Sequence, residues 1–114
     1  MSKPGRVIRL ADAQAAIPGA PGPHSADLLK HGTLLVKLSF PLNPNVQTPH
    51  EQDEVYVIVR GRGILLHAGR RDAFEAGDLL FVPAGTEHHF EDFSEELAVW
   101  VVFYGPPGGE APLG

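Results

Sequence analysis

The sequence predicts an all-β domain, a sandwich or barrel of short strands. Three observations lead there. Short apolar runs rich in β-branched residues recur at close spacing, Gly and Pro punctuate them, and no segment of the main body holds a helical period. The 13 Gly and 11 Pro supply the turns. A hydrophobic share of 43% and a charged share of 20% are ordinary for one globular core.

Residues 7–10 read as one short strand and residues 11–17 as a turn or so of helix. Pro18, Pro21 and Pro23 then interrupt the chain, because proline neither continues a helix nor donates to a strand ladder. Residues 1–23 are therefore an N-terminal arm and Pro/Gly linker. Residues 24–104 form the β domain, and the Gly/Pro-rich stretch 105–114 is a flexible tail. Within the domain, residues 26–40 are strand-like with a break at His31-Gly32, and residues 41–45 form a loop. Residues 55–59 and 64–67 read as a hairpin turned at Gly61-Arg62-Gly63. After a further turn at 68–70, strands at 72–75, 79–82, 86–91 and 97–104 complete the set.

Charge and composition exclude several functions. Nine basic against fourteen acidic residues give a net charge of −5, and no Lys/Arg stripe offers nucleic acid a surface. With no cysteine, disulfides and thiolate metal sites are ruled out. The basic N-terminus leads into no apolar stretch of leader length. The longest apolar run, residues 97–104, is far short of the roughly 20 residues a membrane helix needs. A soluble, cytoplasmic protein acting on a small molecule, without nucleic-acid or membrane partners, is the expectation.

His50 and Glu54 stand just ahead of one strand, and His88 enters another. Two imidazoles and a carboxylate drawn from separate strands can hold a divalent metal on nitrogen and oxygen alone. Full extension from residue 50 to 54 would set the outer Cα atoms about 13 Å apart, so a bend near Gln52 or Asp53 is required. Pro83 and Gly85 fit a type I turn with Pro83 in its second position. Strand alternation turns His88 and Phe90 inward and His89 outward. His24, His31 and His67, in the linker or beside turns, are set aside as solvated or capping residues. Tyr56, Phe81, Phe90, Trp100 and Tyr104 read as core or subunit contacts.

The string from Thr48 through Gly61 resembles the first cupin motif, H-x-H-x3-4-E. Gly77 through His88 resembles the second, G-x5-P-x-G-x2-H. The resemblance covers roughly residues 30–104. With Glu54 on the motif glutamate, His50 takes the second histidine position and Thr48 stands where the first belongs. The resemblance implies a jelly-roll β-barrel holding iron, manganese, nickel or zinc on His50, Glu54 and His88, with Gln52 a possible substitute ligand. Asp92 falls where the family often has asparagine. It further implies a homodimer, and because two-sheet rolls leave strand edges, residues 5–10 are the candidate to pair across its interface. The activity implied is that of a dioxygenase, isomerase or lyase working on a small polar molecule, with Glu54 as base. A non-catalytic ligand-binding module with weak or no metal, and a barrel closed by apolar side chains, are the alternatives.

Overall fold

Side chains alternate across a strand, so a strand apolar on both faces needs cover on both. The computed structural model, which describes residues 2–111, supplies that cover with eight strands and one short helix among the described residues. After α1 (Leu10–Ala15) come β1 (Ser25–His31), β2 (Leu34–Ser39), β3 (Asp53–Arg60) and β4 (Arg62–His67). Then follow β5 (Arg70–Glu75), β6 (Leu79–Val82), β7 (His88–Glu91) and β8 (Ala98–Tyr104). One antiparallel sheet runs β1-β2-β8-β3-β6 and the other β5-β4-β7. Tyr56, Ile58 and Val99 of the first sheet pack against Leu65, Phe74 and Phe90 of the second. This is the expected jelly roll of two facing sheets.

The expected hairpin of residues 55–59 with 64–67 does not form. Both ladder edges of β3 are taken by β6 and β8, and β4 belongs to the other sheet. A single residue, Gly61, carries the chain across. Its φ is +91°, and a Cβ there would lie 2.7 Å from Ser94 Oγ and 2.8 Å from Leu97 Cα. Only glycine fits both the conformation and the space. The hairpin forms instead between β4 and β5. Ala68 and Gly69, with φ of +47° and +77°, connect them in the doubly left-handed turn that suits strand twist.

The arm also departs from expectation. Residues 7–9 form no strand, and Leu10 opens α1 instead. Ala13 and Ile17 are buried with Leu38 on the outer face of the larger sheet, and Ile8, Leu10, Val59 and Trp100 pack around them. Arg60 adds a hydrogen bond to the Gln14 carboxamide oxygen. The arm is thus a cover for that face.

The tail, expected to be mobile, is tied down through residue 110. Gly108 N–H donates to the Glu51 carbonyl at 2.7 Å, and Glu110 N–H donates to Asp53 Oδ2 at 2.9 Å. Asp53 Oδ1 meanwhile accepts from Ala84 N–H at 2.9 Å. Residues 112–114 of the expected tail lie outside the described residues. Among the described residues, no helix is long and apolar enough to cross a membrane.

Candidate metal centre

The chain bends at Glu51 and Gln52, as the span from His50 to Glu54 requires, and Glu54 then enters as the second residue of β3. The position of His50 is set by the segment ahead of β7. Gly85 N–H donates to the His50 carbonyl at 2.8 Å, so the two motif segments are joined through their backbones. The turn making that contact spans Pro83 to Thr86, closed by Thr86 N–H to the Pro83 carbonyl at 3.2 Å. Gly85 holds its third position with φ +77°. That is a type II arrangement one residue later than the expected type I turn, and the glycine's positive φ is the reason.

His88 opens β7 and faces inward with Phe90, as alternation predicts, while His89 turns out to meet Glu91 Oε1 at 3.1 Å. His88 Nε2 lies 3.0 Å from Glu54 Oε1, and His50 Nε2 lies 3.7 Å from the same oxygen. One ligand atom from each of the three residues falls within 4.8 Å of the others. Glu54 and His88 are almost wholly buried, at 2% and 4% exposure. The His50 ring stands edge-on to Phe103 with centroids 4.8 Å apart, which orients it.

The protonation pattern follows from partners. Nδ1 of His88 sits 2.9 Å from the Thr86 carbonyl, which can only accept, so Nδ1 carries a proton and Nε2 is left to face Glu54. Nε2 and Oε1 face each other across that 3.0 Å, and both atoms are buried without a hydrogen-bond partner. Burial alone lowers the His88 pKa, but the Glu54 carboxylate and the Thr86 carbonyl outweigh it and hold the ring above the ordinary 6.5. His50 moves the other way. Burial, reinforced by His88 and Lys37, pulls it below 6.5 against the attraction of Glu54.

A cavity of about 390 Å³ opens beside His50 and Glu54. Tyr56 lines it with its hydroxyl donating to Gln47 Oε1 at 3.2 Å, and burial first, then the Glu54 charge, keeps that phenol protonated. Gln47 Nε2 donates to Asn45 Oδ1 at 2.8 Å, and the same oxygen accepts Phe90 N–H at 2.9 Å. The loop of residues 41–49 is thereby fastened to the interior.

Two expectations about the first motif change. Gln52 is held toward Thr33 and Gly105, its amide nitrogen donating to their carbonyls at 3.0 and 2.9 Å, and it does not line the cavity. Thr48 is exposed and does not line the cavity. Among the histidines set aside, His67 pairs with Asp72 at 2.6 Å and His31 is exposed. His24, however, lines the cavity and keeps Nδ1 buried without a partner. Sequence reasoning also missed Asn45, Gln47 and Lys37. Lys37 alone left a signal, as a charge set inside an otherwise apolar strand. Asp92 adopts φ +47°, which asparagine and aspartate tolerate better than other side chains.

The family model described as Cupin domain matches residues 42–104. An uncharacterized protein from Streptomyces coelicolor is 43% identical over 60 residues, 53% of this chain and 57% of that relative. The match thus spans little more than half the relative's length. Among solved structures, a Cupin 2 conserved barrel domain protein from Salinispora arenicola superposes with a TM-score of 0.65 at 20% identity. That superposition covers 90% of this chain and 91% of the other. A predicted oxalate decarboxylase from Thermotoga maritima gives 0.56 at 23% identity over 69% and 76% of the two chains. The family match takes in more than half of the residues, with His50, Glu54 and His88 all inside it, and the chain belongs to the cupin domain family.

Proposed function

We propose that this chain is a metal-dependent enzyme of dioxygenase, isomerase or lyase type, binding a divalent transition metal through His50, Glu54 and His88. The observation that carries the reading is the facing pair His88 Nε2 and Glu54 Oε1, buried 3.0 Å apart with no hydrogen-bond partner. Each unsatisfied buried polar atom costs about 1–3 kcal/mol, and a cation held by these residues would remove both costs. Iron, manganese, nickel and zinc all suit two imidazoles and a carboxylate. When bound, such a metal supplies Lewis-acid or oxygen-activating chemistry.

The chain's own residues do the rest. Thr86 fixes the tautomer that points the His88 Nε2 lone pair at the site, an orienting role such outer partners commonly play. Phe103 and Tyr56 line the cavity beside these ligands. Glu54 has a second oxygen with which to take a proton from a bound molecule. The exposed position of Thr48 leaves three protein ligands, so coordination sites remain for substrate.

Elemental analysis of untagged protein, run beside His88→Ala, tests this reading. About one equivalent of a transition metal in the parent and little in the variant is expected, with the β circular-dichroism signal unchanged. No metal in either, even after anaerobic addition of iron or zinc, would overturn it in favour of a metal-free binding module.

The proposal extends to a homodimer. Leu79 and Phe81, 64% and 48% exposed on β6 at the edge of the larger sheet, are the apolar residues two copies would cover. Sedimentation of the parent and Phe81→Glu checks it, with dimer expected for the first and monomer for the second.

A further inference from the structure

The cavity wall carries a cation that the metal site does not use. Lys37 lies on the inner face of β2, opposite Val101 of β8, and its side chain is 30% exposed. Among the residues lining the cavity it is the single Lys or Arg, and Glu54 is the single carboxylate. Its nearest counter-charge is Asp27 Oδ1 at 3.9 Å, the outer limit of an ion pair. Asp27 also faces Lys30 at 3.6 Å and is itself 45% exposed. Nζ makes no hydrogen bond to a described residue. Two residues along the same face stands Ser39, paired in register with Ser25, and both serines line the cavity. Val99, Val101 and Phe103 form the apolar wall alongside.

Resting on the metal-site reading, we propose that the cavity takes a small carboxylate, its anionic end met by Lys37 and the Ser25 and Ser39 hydroxyls while its other end faces His50 and Glu54. A divalent ion with one carboxylate leaves the site positive, and Lys37 raises that charge within a protein that is negative overall. A half-buried ammonium with so loose a partner gains most from an anion that enters the cavity. At the Lys37 end a single ammonium, partly offset by Asp27, stands beside two serines, which fits the one charge and two oxygens of a carboxylate rather than the double charge of a phosphate. The volume of about 390 Å³ suits a molecule of a few carbons.

Calorimetric titration of the zinc-loaded parent, Lys37→Met and Lys37→Arg with acetate, succinate, benzoate, the uncharged diamide of succinate and inorganic phosphate tests the inference. At least one carboxylate should bind the parent, lose about 10–100-fold affinity in Lys37→Met and keep most of it in Lys37→Arg. The diamide should not register either change. Equal carboxylate affinity in the parent and Lys37→Met, or no carboxylate binding to the parent, overturns the inference. Phosphate binding that is tighter and more dependent on Lys37 overturns the assignment to carboxylate. Zinc content and Tm are measured on each sample. A parent that takes up no zinc sinks the metal-site reading, whereas equal zinc with unchanged carboxylate affinity sinks only the role of Lys37.

Discussion

The two faces of the five-stranded sheet are built from the same strands and differ in almost everything else. On β2, Leu38 points outward, fully buried beneath Ala13 and Ile17 of the arm, while Lys37 and Ser39 on either side point into the cavity. On β3, Val59 joins the outer cluster, whereas Glu54 and Tyr56 face inward. The outer face is apolar, covered by the arm over β2 and β8 and open at β6, and among the described residues it carries no buried side-chain polar atom without a partner. The inner face holds Glu54 Oε1 and, with β7, His88 Nε2, both unpartnered. Alternation thus lets one strand serve stability and chemistry at once, because neighbouring residues share no packing partners.

That separation is open to measurement. The largest effect belongs to the outer face. Leu38→Ala should cost about 2–5 kcal/mol in denaturant unfolding and leave metal stoichiometry as in the parent. A matching loss of metal would show that the faces are coupled. On the inner face the sign reverses. In metal-free protein, Glu54→Met should raise stability by about 1–3 kcal/mol while abolishing metal uptake, since it removes a buried oxygen with no partner. A fall in Tm would show that Glu54 supports the fold.

The boundary between faces gives a smaller, pH-dependent effect. Two backbone donors, Glu110 N–H and Ala84 N–H, hold the Asp53 carboxyl below its ordinary 3.8. A depressed carboxylate contributes stability above pH 3.8 that is lost as pH falls through the lower folded value. Asp53→Asn should therefore melt several degrees below the parent near neutrality and show a flatter slope in Tm below pH 4. Parallel slopes in the two proteins would mean Asp53 is not the titrating group. The smallest effect is expected for Thr48→His. An added imidazole at that exposed position should leave metal affinity unchanged in competition with a chelator. Tighter binding would place residue 48 at the ion.

How legible the molecule was in its sequence differs between these regions. Strand positions and the inward set of His50, Glu54 and His88 could be read because period-two alternation and motif spacing are local properties. The pairing of β3 could not, since its partners β6 and β8 are chosen by contacts far along the chain. Lys37 in an apolar strand reads as a solvent-facing charge until β8 is laid beside it. Asn45 and Gln47 carry no periodic signal in a proline-rich loop and gain meaning only through Tyr56 and the Phe90 amide. The held tail was equally hidden, because Asp53 has no partner until residues 84 and 110 arrive.

The order β1-β2-β8-β3-β6 has a consequence for how the protein is made. Of the five strands of this sheet, the last to be synthesised is the middle one, pairing with β2 on one side and β3 on the other. Until it emerges, the nascent larger sheet exists only as two separate pairs, β1 with β2 and β3 with β6. Such long-range closure is slow compared with hairpin formation. Val99, Val101 and Phe103 arrive with that strand, so the growing chain has no enclosed cavity to offer a ligand before its eighth strand locks in.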